Sequence, residues 1–280
     1  MRELPTAVHR LIDLALDEDL GPGDVTSAAL IGACNGEAII EAREETVVCG
    51  MGVAESVFRR IDPAIHFNSL AVEGETAVGG DILAELTGPV SSLLAGERTA
   101  LNFIQRMCGV ASLSRQYAER AKSKAVVLDS RKTIPGWRWL DKLAVRTGGC
   151  RNHRMGLFDG ILIKDNHITA CGGIREAVTK ALLKAPPGLT VEVEVDSLAG
   201  VKEALTAGAG IIMLDNFTPD QVAAAIPVAA GKALIEVSGG ITLEDMDGYI
   251  QSGKVDYISV GALTHSAVSK DISMEITMTS

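Results

Sequence analysis

Apolar residues recur at Val8, Leu11, Ile12, Leu14 and Leu16, a spacing that predicts an amphipathic helix over 8–20. Gly21-Pro22-Gly23-Asp24 stops it. Short alternating segments follow at 36–42, 46–49, 66–70 and 82–86, separated by Gly, Asp and Pro as strands are. A long helical pattern then runs from about Ser91 to Lys122. The first hundred or so residues therefore read as a mixed α+β region.

The rhythm changes at Ala125. Short β-rich runs end in polar or glycine residues at 125–129, 160–164, 190–196, 210–215, 233–238 and 257–261. Helical patterns at 173–183, 198–207 and 219–229 lie between the later ones. Strands alternating with helices imply βα units and a parallel sheet. Functional-looking residues at successive strand ends suggest a barrel seen from its C-terminal mouth, but the strands are fewer than the eight of a closed (β/α)₈ barrel. The fold class expected is α/β, with an open, incomplete α/β barrel. An open doubly wound sheet is the competing architecture.

Composition narrows the function. The chain has 280 residues, enough for one large or two moderate domains, and carries a net charge of -10. That charge disfavours sequence-independent nucleic-acid binding, which needs Lys and Arg on phosphates. Cys34, Cys49, Cys108, Cys150 and Cys171 form no CxxC pair, so a reduced compartment is expected and a zinc site is not. Met1-Arg2-Glu3-Leu4-Pro5 lacks a signal-peptide pattern, and no apolar run approaches the roughly 20 residues that span a bilayer. A cytoplasmic location without a membrane partner is the expectation.

One segment departs from the acidic average. Between 131 and 164 stand Arg131, Lys132, Arg138, Lys142, Arg146, Arg151, Arg154 and Lys164, opposed only by Asp141 and Asp159. Such a cluster points to an anionic small molecule, because guanidinium forks fit carboxylates and phosphates. For Arg138, Lys142 and Arg146, which share a helical pattern, a solvated helix face is an equal alternative. Glu192 and Glu194 share one face of a strand, and Asp215 ends the next. Carboxylates at adjacent strand ends can hold a divalent cation or ribose hydroxyls and can stabilise positive charge on a sugar ring. For Asp215 a simple turn role stays open. The last strands end in Ser238-Gly239-Gly240 and Gly261-Ala262, where barrel enzymes often bind phosphate. His153, His167 and His265 sit beside these motifs.

Several segments, taken in order, resemble one family. They are Asp129-Ser130-Arg131-Lys132-Thr133-Ile134-Pro135-Gly136, Gly148-Gly149-Cys150-Arg151-Asn152-His153-Arg154, Ile163-Lys164-Asp165-Asn166-His167, Glu192-Val193-Glu194-Val195-Asp196, Leu214-Asp215-Asn216 and Ser238-Gly239-Gly240. Glu97-Arg98-Thr99-Ala100-Leu101-Asn102, Glu18-Asp19-Leu20 and Gly23-Asp24-Val25-Thr26 also fit. Together they are similar to the quinolinate phosphoribosyltransferase family over nearly the whole chain.

The resemblance implies an N-terminal α/β sandwich over 1–107, to which a tail of about 267–280 returns, and a catalytic barrel over 108–266. It implies transfer of phosphoribosyl from phosphoribosyl pyrophosphate to quinolinate with decarboxylation, in NAD biosynthesis. It also implies a homodimer with shared active sites, with higher assembly left open. Carried over by residue, Arg131, His153 and Arg154 would hold the quinolinate carboxylates, and Arg98 would reach in from the partner. Lys132 and Lys164 would bind phosphoribosyl pyrophosphate or bridge the substrates. Glu194 and Asp215 would hold ribose hydroxyls and, through water, Mg2+. Ser130, Ser238, Gly239, Gly240, Ser259, Val260 and Gly261 would line the substrate site, with His265 near the 5′-phosphate. Lys132, Lys164, Glu194 and Asp215 are the catalytic candidates.

Cys150, Cys108 and Leu143 depart from a glycine, a serine and a tyrosine common in the family, and Trp137 and Trp139 crowd their loop. Three other readings compete, one of them a non-catalytic binding or regulatory protein on the same fold. A relative linked to molybdate transport shares the Arg131–Gly136 pattern but lacks the Lys164–His167 run. A Schiff-base aldolase could use Lys164 at a strand end.

Overall fold

The computed structural model describes residues 4–122, 124–229 and 231–278. In chain order the first elements are α1 (Thr6–Leu20), α2 (Val25–Leu30), β1 (Asn35–Ala42), β2 (Thr46–Val47), α3 (Met51–Ile61), β3 (His66–Ser69), β4 (Thr76–Ala77), β5 (Ile82–Pro89) and α4 (Val90–Ala121). Then come β6 (Val126–Leu128), α5 (Arg138–Thr147), β7 (Ile161–Ile163), α6 (Asp165–Cys171), α7 (Ile174–Lys184), β8 (Val191–Val195), α8 (Leu198–Ala207), β9 (Ile211–Asp215) and α9 (Pro219–Ala229). The last are β10 (Leu234–Ser238), α10 (Met246–Gln251), β11 (Tyr257–Ser259), α11 (Ala262–His265) and β12 (Ile272–Met278).

Two compact units result. The first gathers 1–115, 134–149 and 267–280; the second gathers 116–133 and 150–266. In the first, β12-β1-β5-β3 form a sheet, antiparallel throughout. Strand β1 alternates, with Ala38, Ile40 and Ala42 buried and Glu37 facing out, so one face of the sheet carries the core. Asp24 caps α2 by accepting the amides of Thr26 and Ser27, which gives the Gly23–Thr26 motif a structural role.

This grouping places 108–115 and 134–149, as well as the tail from 267, with the first unit. Helix α5 belongs with the first unit because the Trp137 ring before it stacks on Phe103 at 4.9 Å. Arg106 lies over the same indole and pairs with Asp141 at 2.9 Å. Asp141 is buried, and that burial raises its pKa despite Arg106 beside it. Arg138, Lys142 and Arg146 thus lie on a first-unit helix, with Lys142 buried rather than on a solvated face. The departure at Cys108 is conservative in its bonding: its sulfur accepts the Cys49 amide and donates to the Cys49 carbonyl, as a hydroxyl could.

The second unit is a parallel six-stranded sheet in the order β6-β11-β10-β9-β8-β7. It is an open curve of six strands, with β6 and β7 as its ends. After β6 an isolated parallel bridge joins Leu128 to Arg151, so the 150–154 segment enters beside β6 without forming a strand. Pairing starts there and stops, which keeps the sheet an incomplete barrel.

Candidate active site

Side chains alternate along a strand, so the register defines what shares the inner face. Glu192 and Glu194 on β8 stand with Met213 and Asp215 on β9 and with Glu236 and Ser238 on β10. At the C-terminal end of this face lies a cavity of about 390 Å³. Basic residues Arg131, Lys132, Arg154 and Lys164 line it. Glu194, Asp215, Ser238, Gly239, Gly240 and Gly261 line it as well. Thirteen positions singled out from the sequence thus meet in one cavity, among them Ser130, His153 and Ser259.

Local chemistry aims each group. Lys164 ends β7 and caps α6, where its amide donates to His167 Nδ1 at 3.0 Å. His167 therefore fixes the strand end, and the Lys164 ammonium pairs with Glu194. The Ser130 hydroxyl accepts the Lys132 amide at 3.1 Å, and Thr264 donates to the Lys132 carbonyl at 2.9 Å. Arg154 donates to the Gly160 carbonyl at 3.0 Å. Burial and then neighbouring Arg131 hold the Arg154 pKa below the ordinary arginine value. Two guanidinium groups side by side in a partly dry wall favour an anion with more than one negative charge.

The glycine loops need glycine. Gly239 has φ +108°, and a Cβ there would overlap the Asn216 backbone. Asn216 itself turns in the left-handed region at φ 57°, donates its amide to the Ser238 carbonyl and holds Asp215 through its side chain. The turn role for Asp-Asn and the pocket role for Asp215 therefore coexist. A Cβ on Gly261 would press on both His265 Nε2 and the Lys132 stem.

Some placements differ from the sequence-based expectation. The Ser259 hydroxyl donates to Glu236 in the interior. Val260 is buried, and its amide donates to the Leu128 carbonyl, which leaves only main chain near the site. His265 abuts Gly261, and its Nδ1 meets the Ser266 hydroxyl at 2.6 Å. Arg98 lies on the first-unit helix α4 with an exposed side chain. His153 turns inward: Nδ1 accepts the Arg154 amide at 2.7 Å, and Nε2 faces Glu192 at 3.2 Å and Glu236 at 3.6 Å. It also lines the cavity beside Arg154.

Two residues escaped the sequence reading. Asp129, fully buried, accepts the His153 amide at 2.8 Å. Glu236, 1% exposed, interrupts an otherwise apolar parallel strand. A charge in the middle of such a run was the available signal.

Adjacent carboxylates Glu194 and Asp215 are hard oxygen donors at neighbouring strand ends, the donor type that Mg2+ takes together with water and phosphate oxygens.

Comparison with known proteins adds independent weight. Residues 24–108 match the family described as quinolinate phosphoribosyl transferase, N-terminal domain, and residues 110–275 match its C-terminal domain. A probable nicotinate-nucleotide pyrophosphorylase (carboxylating) of Bacillus subtilis strain 168 is 42% identical over 272 residues, covering 97% of this chain and 94% of that protein. The chloroplastic nicotinate-nucleotide pyrophosphorylase (carboxylating) of Arabidopsis thaliana is 40% identical over 286 aligned positions, covering 95% and 82%. The crystal structure of NadC from Streptococcus pyogenes superposes with a TM-score of 0.94 at 38% identity, covering 100% of both chains.

Proposed function

The chain belongs to the quinolinate phosphoribosyltransferase family, and from that premise we propose how its own residues carry the reaction. It is a decarboxylating transferase that converts quinolinate and phosphoribosyl pyrophosphate to nicotinate mononucleotide, pyrophosphate and carbon dioxide in NAD synthesis. The observation that carries the assignment is one cavity lined together by Arg131, Lys132, Arg154 and Lys164, by the carboxylates of Glu194 and Asp215, and by the glycine-bearing strand ends.

Arg131 and Arg154 hold the two quinolinate carboxylates, with His153 beside them. Arg98 of a second subunit completes the clamp in a homodimer. Ser238, Gly239, Gly240 and Gly261 receive the 5′-phosphate through main-chain amides, with His265 at the edge. Glu194 and Asp215 bind the ribose hydroxyls and would hold Mg2+ through water. Mg2+, when bound, neutralises the charge of the pyrophosphate group.

The pyridine nitrogen forms its bond to the anomeric carbon as the bond to pyrophosphate oxygen breaks. Lys132 and Lys164 balance the charge of the departing pyrophosphate, and Glu194 and Asp215 favour the cationic sugar. The ring nitrogen is then quaternary and draws electrons. The bond to the adjacent carboxylate breaks, carbon dioxide leaves, and the ring carbon takes a proton.

The aldolase reading loses ground because the Lys164 amine is engaged by Glu194. All five cysteines are thiols, which supports a cytoplasmic setting. Among the described residues no helix is long and apolar enough to cross a membrane.

The test is a coupled assay with quinolinate, phosphoribosyl pyrophosphate and magnesium, following pyrophosphate and nicotinate mononucleotide together. Turnover of quinolinate but not nicotinic acid is expected, falling roughly 30-fold or more in kcat/KM in Arg131→Ala through loss of a charge-assisted fork. Turnover of nicotinic acid instead would overturn the dicarboxylate assignment.

A further inference from the structure

Next to the substrate cavity lies a polar cluster whose two glutamates the reaction scheme above does not use. His153, Glu192 and Glu236 bring one ligand-type atom each within 4.8 Å of one another. Glu192 is 5% exposed and Glu236 1% exposed. A second cavity, of about 450 Å³, is lined by all three of these residues, and His153 and Arg154 line both cavities. Burying two carboxylates is unfavourable unless they are paired and hydrogen-bonded. Their partners therefore show what the cluster does.

The hydrogen bonds fix the chemistry of the ring. A backbone amide is always a donor, so the 2.7 Å contact from Arg154 makes Nδ1 an acceptor without a proton. Nε2 then carries the ring proton and presents it to Glu192 and Glu236. Asp129 holds the backbone of the same residue by accepting the His153 amide. Ser259 donates to Glu236 from the next strand. The chain of contacts runs from Ser259 through Glu236 to His153, and from its far nitrogen to the backbone of Arg154.

Resting on the dicarboxylate reading of the cavity, we propose that Glu236 is a positioning residue: with Ser259 and Glu192 it locks His153 as the neutral tautomer protonated at Nε2, and so holds the Arg154 corner in place for the substrate dicarboxylate.

Burial, and then the charge of Glu192, push Glu236 up to about 8. Near neutral pH Glu236 therefore keeps its proton. The groups facing Glu236 are Glu192 on β8, Ser259 and Tyr257 on β11, and His153 and Arg154 on the loop, while its neighbour on β9 is the apolar Met213. As pH rises past about 8, a second negative charge appears behind the corner that must receive two carboxylates. Quinolinate binding weakens there.

Two measurements test this. The first is independent of turnover: ¹⁵N spectra of the histidine rings, with the His153 signals assigned through His153→Asn. The expected pattern is a protonated Nε2 and an unprotonated Nδ1 between pH 6 and 7.5, lost in Glu236→Met. An imidazolium or the opposite tautomer in the wild-type protein would overturn the proposal whatever the substrate proves to be.

The second is steady-state kinetics. Glu236→Met should raise the KM for quinolinate roughly tenfold, the scale of one unsatisfied buried polar group, with the KM for phosphoribosyl pyrophosphate within about twofold. Glu236→Gln, isosteric and always neutral, should keep the quinolinate KM within about threefold at pH 7. It should also remove the rise in KM that the wild type shows above pH 8. If Glu236→Met fails to fold, Ser259→Ala takes its place, with a smaller rise in the same constant. Glu236→Gln as defective as Glu236→Met at pH 7 would overturn the proposal. So would a stoichiometric zinc or manganese ion in the purified protein that is lost in Glu236→Gln, since the cluster would then be a metal site. Absence of quinolinate turnover by the wild type with the expected tautomer intact would instead strike the dicarboxylate reading.

Discussion

The Lys164 ammonium at the end of β7 forms an ion pair with the Glu194 carboxylate on the neighbouring strand β8. Each is a candidate for a different part of the substrate, so the pair must open or be shared when the substrate arrives. Lys164 is 43% exposed in its side chain, so solvent screens the pair and its contribution to stability is about 1 kcal/mol or less. Glu194→Gln and Lys164→Ala should each leave Tm within a few degrees of the wild type. Both should lower kcat by roughly 100-fold or more, the scale of a lost charge-stabilising group. Thermal unfolding beside steady-state kinetics separates the two effects; a large fall in Tm would mean that the pair is structural.

Gly239→Ala tests the phosphate loop. The residue would have to hold φ +108° while its methyl group collides with Asn216. Such strain costs about 1–3 kcal/mol. Shift of the loop would also displace Asn216 and so Asp215. Reduced denaturant stability together with a raised KM for phosphoribosyl pyrophosphate is expected, and unchanged values of both would argue that the loop relaxes freely.

The cysteines should divide by burial. Cys34 and Cys171 are partly exposed, whereas Cys49, Cys108 and Cys150 are buried. Burial pushes Cys108 and Cys150 up to about 12, far from the thiolate form that reacts. A thiol reagent at pH 8 should modify Cys34 and Cys171 in the native protein, and the other three only after unfolding. Mass spectrometry of the labelled peptides reads this directly, and rapid native labelling of Cys150 would contradict its placement.

Glu236 also links pH to stability. Its pKa in the folded protein, about 8, stands above the ordinary value of 4.5. The folded state therefore holds this proton more tightly than the unfolded state does. The stabilisation is full below about pH 4.5 and is lost as pH rises through 8. Glu236→Gln cannot ionise, so its Tm relative to the wild type should climb from pH 5 to pH 9. A constant difference across that range would mean that Glu236 is ionised throughout.

Much of this was legible in the sequence. Periodicity located the long helix and the strands of the parallel sheet, because a βα unit buries its strand on both faces and leaves a contiguous apolar run. The glycine pair at 239–240, the arginines at 131 and 154 and the strand-end acids at 194 and 215 were visible because each breaks that pattern at a predictable place. Helices α2 and α3 and the edge strand β12 were not, since short elements owe their stability to partners distant in sequence. Strand β12 pairs with β1, more than 200 residues away in the chain.

The sequence by itself determined the strand sequence of the parallel sheet and the residue types the chemistry needs, for these depend on local pattern and on functional groups. Only tertiary structure decided where Lys142 goes: the sequence left it open between an anion site and a solvated helix face, and it is buried on α5, outside the residues that line the cavity. It likewise decided the direction of His153, whose ring turns toward two glutamates contributed by strands about 40 and 80 residues further on. Hydrogen-bond partners are chosen by distance in space, and the register of a parallel sheet sets that distance where sequence separation does not.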